Sequence, residues 1–304
     1  MAGEEVHVAV DGRTLRLSNL DKVLYPQTGT TKGEVLNYYA QIAPVLLPHM
    51  ADRAVTRIRW PHGTGDLSFF EKNLPNGTPS WIRRVSFEPG GRLGTRGRGE
   101  AVTYPIVDGL AALTYLVNLA SLELHVHQWT VDADGSPRNP NRLVIDLDPG
   151  PPAGLFQCCR VALLVRDKLA ALGLASAPVT SGSKGLHMYA ALDGSRTADE
   201  VRDLAQEVAQ ELTGEHGDLV LWKMTKSMRG GKVFLDWSQN TAAKTTITPY
   251  SLRGKDRPFV AAPRTWAEVE AGAEDEFAID QLLFGEVLDR AASDGDIFGG
   301  LLAG

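Results

Sequence analysis

Residues 143–150 read LVIDLDPG, a short β-rich run closed by Pro149 and Gly150. In a strand, alternate side chains share a face, so Asp146 and Asp148 project together while Ile145 and Leu147 point into a core. Two ionised carboxylates side by side repel unless a cation neutralises them, and hard oxygen donors of this kind suit Mg2+ or Mn2+. The pair lies at the C-terminal end of its strand, where α/β proteins tend to bind ligands. A strand end with two solvated acids fits the same residues, so the pair by itself does not define a site.

Reading outward, residues 155–172 place apolar side chains at 155, 158, 159, 162, 165, 169 and 172 before Gly173, the spacing of an amphipathic helix, and SAPVT follows as a second short strand. This strand, helix, strand order implies an α/β fold. Further strands are expected at LHMYAAL, LVLWK and KVFLD, with a helix between them begun by the capping box Thr197 and Glu200 and ended by Gly214. KVFLD ends in Asp236, which shares a strand face with Phe234. Three carboxylates on neighbouring strands would make a two-metal site for in-line phosphoryl displacement, although Asp236 alone is weak support.

Between these acids lies TSGSKGLH, residues 180–187. Small residues let backbone N–H groups approach an anion, Ser181 and Ser183 can donate hydrogen bonds, and Lys184 adds positive charge, which together describe a triphosphate cradle. An ordinary tight turn is the alternative, and the spacing is not that of a P-loop. In LELHVHQW, alternation puts Glu123, His125 and His127 on one face, read as a polar strand face lining a cleft rather than a zinc site. Phe69 and Phe70 are adjacent and cannot both face one core, which leaves one free to stack on a base, with burial as the default for Phe.

Towards the N-terminus, Thr31 and Glu34 have capping-box spacing and start a helix that is expected to break near Pro44. Residues 89–99, PGGRLGTRGRG, have almost nothing to bury and read as a mobile arginine-bearing surface loop. A last helix is expected over Phe277 to Ala292.

The chain of 304 residues is 43% hydrophobic and 22% charged, an ordinary balance for a globular enzyme. It has neither an apolar run of about 20 residues nor a secretory leader, so a cytoplasmic, nucleoid-associated chain without a membrane partner is expected. Its two cysteines, Cys158 and Cys159, are adjacent, which suits burial better than a disulfide framework or zinc set. A net charge of −6 argues against a polyanion partner, but the average conceals segregation. From Thr265 onwards there are ten acids and one base, whereas residues 222–257 carry eight bases against two acids and residues 72–98 carry six against one. Localised phosphate binding is compatible with that distribution.

Taken in order, NLDKVLYPQTGTTK, SFFEK, LELHVHQW, LVIDLDPG, VTSGSKGLH, TKSMRGGKVFLDWSQN and KTTITPYSLRG resemble the polymerase domain of bacterial ligase D, within the archaeo-eukaryotic primase superfamily. The resemblance spans about Leu15 to Trp266 and suggests a stand-alone relative of actinobacterial type. It implies an α/β (α+β) fold with a primase-like catalytic core and RRM-like sheet, plus an N-terminal α/β subdomain. On that reading the chain divides into an N-terminal subdomain (1–120), a catalytic core (121–266) and an acidic C-terminal helix and tail (267–304). The resemblance further implies that Asp146, Asp148 and Asp236 bind two Mn2+ or Mg2+ ions. Ser181, Lys184, Arg253, Gln239 and His125 fall to the nucleoside triphosphate, Lys22 and Lys32 to a 5′-phosphate in gapped or broken DNA, and Phe69 and Phe70 to the template. Ku and a separate DNA ligase are the implied partners. The stretch 89–99 looks longer than its family counterpart, which leaves the choice among synapsed ends, gaps and primer extension open.

Two other readings compete. A passive end-bridging module would need the basic blocks but neither the three acids nor TSGSKGLH. A sugar-nucleotide transferase would leave the paired Phe, the two N-terminal lysines and the third Asp unexplained.

Overall fold

A computed structural model of the chain describes residues 5–88 and 101–299. The arginine-rich stretch 89–99, read above as a mobile loop, lies outside the described residues. The fold is mixed α+β, built on two main sheets.

The larger sheet has six strands in the spatial order Val220–Leu221, Val233–Asp236, Arg142–Pro149, Leu186–Ala191, Ser176–Thr180 and Ala262–Pro263. All neighbours are antiparallel except the first pair. Alternation along the central strand Arg142–Pro149 is the organising fact. Leu143, Ile145 and Leu147 point to one face and pack with Cys158, Ala162, Val165 and Leu169 of α3 (Leu155–Ala171) and Val201, Ala205 and Val208 of α4 (Ala198–Glu215). The even-numbered residues are left to the opposite face. Both cysteines are fully buried, as expected.

The second sheet orders Thr246–Ile247, Ser121–Val126, Val55–Arg59 and Phe69–Glu71. Its apolar face, with Leu122, Leu124 and Val126, packs with α1 (Lys32–Met50) and α2 (Leu110–Asn118). The capping box of Thr31 and Glu34 is formed, but α1 does not break at Pro44; it continues through Pro44 and Pro48 to Met50. A proline inside a helix costs about 3 kcal/mol. Burial of Val35, Leu36, Tyr38, Tyr39, Ile42, Leu46 and Met50, at roughly 1.5–3 kcal/mol per large side chain, outweighs that cost. The Tyr38 and Tyr39 hydroxyls also donate to the Tyr250 and Leu122 carbonyls at 2.7 and 2.6 Å.

Residues 246–263 cross from the second sheet to the edge of the first and carry Arg253 between them. After α5 (Trp266–Glu274), the helix expected from Phe277 begins only at Phe284, as α6 (Phe284–Asp294). The preceding backbone is committed elsewhere: the Leu282 carbonyl accepts from Val260 N–H at 3.0 Å, and Leu283 bridges to Phe259. Among the described residues no helix is long and apolar enough to cross a membrane.

Candidate active site

Strand register assembles the acids. Asp146 lies directly opposite Asp236 on one side and His187 on the other, and Asp148 lies opposite Phe234. Directly opposed residues of antiparallel strands share a face, as do residues two apart. Asp146, Asp148, Asp236 and His187 therefore occupy one face. His187 Nε2 is 3.4 Å from Asp146 Oδ1, and burial, together with the charge of Arg253, lowers its pKa to about 3, so it stands neutral.

Burial and then the Asp236 charge raise the Asp146 pKa to about 7; burial and then Asp146 raise that of Asp148 to about 6. Asp236 is better solvated by the protein. It accepts from Ser238 N–H at 3.0 Å, from the Ser238 hydroxyl and from Gln239 Nε2 at 3.1 Å, with Lys244 Nζ at 3.7 Å. Arg229 Nη1 reaches Asp148 at 3.8 Å. Among the described residues no three His, Cys, Asp or Glu donors converge on a common point. The donor chemistry nonetheless fits a hard divalent ion: three carboxylates share one sheet face, and both Asp146, largely buried, and Asp148, half exposed, are held above the ordinary carboxylate pKa.

The turn after Ser176–Thr180 presses against this face. A Cβ at Gly185 would sit 2.0 Å from the Leu147 carbonyl oxygen, and one at Gly182, whose φ is +67°, 2.6 Å from Arg253 Cγ. Only glycine allows both approaches. The turn thus brings Ser181 and the exposed Lys184 beside Arg253 and the acids. From the second sheet, Glu123 holds Arg253 in place: Arg253 Nη1, Gly254 N–H and His125 Nε2 lie 3.3, 2.9 and 2.8 Å from its oxygens. Burial alone would raise the Glu123 pKa, but the His125 hydrogen bond and the Arg253 charge carry it down to about 2.

Not every residue of the LELHVHQW face lines the cleft. The strand ends at Val126, and His127 is 1% exposed, its Nδ1 3.1 Å from the Ala54 carbonyl and its ring 4.4 Å from that of Trp129. Gln239 rests on Asp236. Sequence reasoning placed Glu123 on the polar face of a strand lining a cleft, without a partner, and assigned no role to Arg229, Lys244 or His187. The basic block 222–257 and the TSGSKGLH run were their only signals.

Further out, Phe69 and Phe70 are 48% and 58% exposed. Ile58 pairs with both Phe70 and Glu123, which puts Phe70 on the Glu123 and His125 face, whereas Phe69 pairs with Arg59 on the other. Lys32 is 4% exposed and donates to the Ser18 carbonyl at 2.6 Å; burial and then the charge of Lys22 lower its pKa to about 8. The charge of Lys22 is thus felt at Lys32. The start of α1 does not present open N–H groups, contrary to the usual behaviour of a helix N-terminus. Lys32 N–H and Gly33 N–H donate to the Lys22 and Leu20 carbonyls, each at 2.8 Å, and Glu34 N–H donates to Thr31 Oγ1 at 3.2 Å. A groove of about 590 Å3, lined by Gln27, His62, Thr64, Asp66 and Lys255, opens next to Gly254.

Comparison with known proteins bears on the family and the fold. The family model described as LigD, primase-polymerase domain, matches residues 31–298. The Multifunctional non-homologous end joining DNA repair protein LigD of Mycobacterium tuberculosis is 49% identical over 286 residues, 92% of this chain and 36% of the relative. The Bifunctional non-homologous end joining protein LigD of Bacillus subtilis is 32% identical over 283 residues, 92% of this chain and 43% of the relative. The chain thus spans well under half the length of these relatives. Among solved structures, the polymerase domain from Mycobacterium tuberculosis ligase D in complex with DNA superposes with a TM-score of 0.87 at 47% identity, covering 95% of this chain and 98% of that one. With its fold, its motifs and these matches in agreement, the chain belongs to the family of LigD primase-polymerase domains.

Proposed function

We propose that this protein is a nucleotidyltransferase of DNA repair that adds ribo- or deoxyribonucleotides at gaps or double-strand break ends. The observation that carries the reading is the register that lines up Asp236, Asp146 and His187 across three strands, with Asp148 beside them and Arg253 and the 181–185 turn alongside. Asp146, Asp148 and Asp236 are the residues to hold two Mn2+ or Mg2+ ions, which when bound offset the carboxylate charge, favour the 3′-hydroxyl as nucleophile and stabilise the leaving oxygen.

The remaining roles belong to the chain. Arg253, fixed by Glu123, and Lys184 supply cations for the triphosphate, and the Ser181 hydroxyl supplies a directed hydrogen bond. His125 and Gln239 border the nucleotide in this reading, which the contact of His125 with Glu123 and that of Gln239 with Asp236 support. Phe69 and Phe70 offer stacking surfaces to the template. Lys22 and Lys32 supply the paired charge for a 5′-phosphate, which carries close to one charge more than an internal diester. Ku and a separate DNA ligase are the partners this reading proposes, in keeping with relatives whose names carry non-homologous end joining.

The test is incorporation into a labelled primer on gapped DNA carrying a 5′-phosphate, with Mn2+ and with chelator. Extension in Mn2+ and none in chelator is expected. Tight DNA binding without extension under any metal would leave the end-bridging reading in its place.

A further inference from the structure

The segment between α5 and α6 reaches the turn that bears Ser181 and Lys184. Gly182 N–H donates to Gln281 Oε1 at 2.7 Å, and Gln281 Nε2 donates to the Gly185 carbonyl at 3.0 Å. One side-chain amide thus spans the turn. Within it, the Ser181 hydroxyl oxygen accepts from Ser183 N–H and from Gly185 N–H, both at 3.2 Å. The N–H groups of residues 182, 183 and 185 are all used inside the protein. The hydroxyl hydrogen of Ser181 and the N–H of Lys184 have no acceptor among the described residues.

Gln281 is itself anchored on both sides. The Asp280 carbonyl accepts from Arg264 Nη2, and Arg264 Nε donates to Thr180 Oγ1, the residue preceding Ser181, at 3.2 Å. The Leu282 carbonyl accepts from Val260 N–H, and Val260 is the residue whose backbone a Cβ at Gly182 would strike. The contact is therefore built from both directions along the chain.

We propose that Gln281 is a positioning residue of the nucleotide site, whose amide sets the 181–185 turn in the shape that frees the Ser181 hydroxyl and the Lys184 N–H for a triphosphate. The proposal rests on the polymerase reading above. An amide suits the role because it offers one donor and one acceptor at fixed separation; a carboxylate offers only acceptors and a thioether hardly either. A turn released from both bonds samples other shapes, and binding must then order it, which weakens affinity while leaving the bound complex as it was. The loss therefore falls on KM for the triphosphate and not on kcat.

Gln281→Met keeps the side-chain length and removes both bonds. Single-nucleotide incorporation on gapped DNA in Mn2+ should show KM for the triphosphate raised about tenfold, with kcat and DNA affinity unchanged. Hydrogen exchange should quicken over residues 180–187 without nucleotide and return to the wild-type rate at saturating triphosphate. An unchanged KM, or kcat and DNA affinity falling together with it, overturns the proposal. If the variant does not fold, the wild type decides: saturating triphosphate must slow exchange at 180–187 and 278–284 together, and protection of the first segment alone overturns the coupling. Wild-type incorporation beside an indifferent Gln281→Met removes only the positioning role, whereas no wild-type incorporation removes the polymerase reading and this proposal with it.

Discussion

Burial and like charge act in the same direction on Asp146, whose pKa stands near 7. A carboxylate with a folded-state pKa above its unfolded value favours folding when protonated. Its penalty is absent below pH of about 4, grows as the pH rises and is complete above about 7. Asp146→Asn removes that charge, so in chelator it should melt above the wild type, by an amount on the order of a few kcal/mol at pH 8 that shrinks towards pH 4. Thermal melts across that range check it, and Mn2+ should narrow the gap by stabilising only the wild type. An Asn variant less stable than the wild type at pH 8 would contradict the strain assigned to Asp146. Alternation alone made the Asp146 and Asp148 pair legible in LVIDLDPG. The N–H groups at the start of α1 were not legible, because their carbonyl partners, Leu20 and Lys22, are set by a local chain path that no residue pattern encodes.

At the level of elements, strand register separates two residues that look equivalent in sequence. Phe70 shares a face with Ile58, Glu123 and His125, and Phe69 does not. Phe70→Ala should lower affinity for gapped DNA by roughly 1–3 kcal/mol whatever the template base, and Phe69→Ala by distinctly less; equal losses in a binding titration would count against the assignment by face. The strands around LVIDL, SAPVT, LHMYAAL and KVFLD, and α3, were readable because a single period governs each. Two helix boundaries were not. Pro44 and Pro48 signal a break that the buried face of α1 overrides, and the stretch from Phe277 reads as helix where residues 280–283 instead serve Val260, Phe259 and the 181–185 turn. Both errors come from tertiary contacts outweighing local preference.

Across the whole molecule, the net charge of −6 hides a division of labour. The basic block supplies Arg229, Lys244 and Arg253 to the acids' side of the larger sheet, while the acidic C-terminal segment meets the 181–185 turn through the uncharged amide of Gln281. One sheet carries the three acids, the other carries Glu123, His125 and Phe70, and the crossing segment 246–263 sets Arg253 between them. The motifs named these residues individually; that the two sheets face one another across Arg253 is a consequence of topology. In the proposed reaction Asp146, Asp148 and Asp236 work as one metal-binding unit in nucleotide transfer. Asp236→Ala tests it most directly, in extension of a primer on gapped DNA at saturating Mn2+ alongside affinity for the same DNA. Extension should fall by several orders of magnitude with DNA affinity nearly intact; near-normal extension by Asp236→Ala would remove the three-carboxylate metal site.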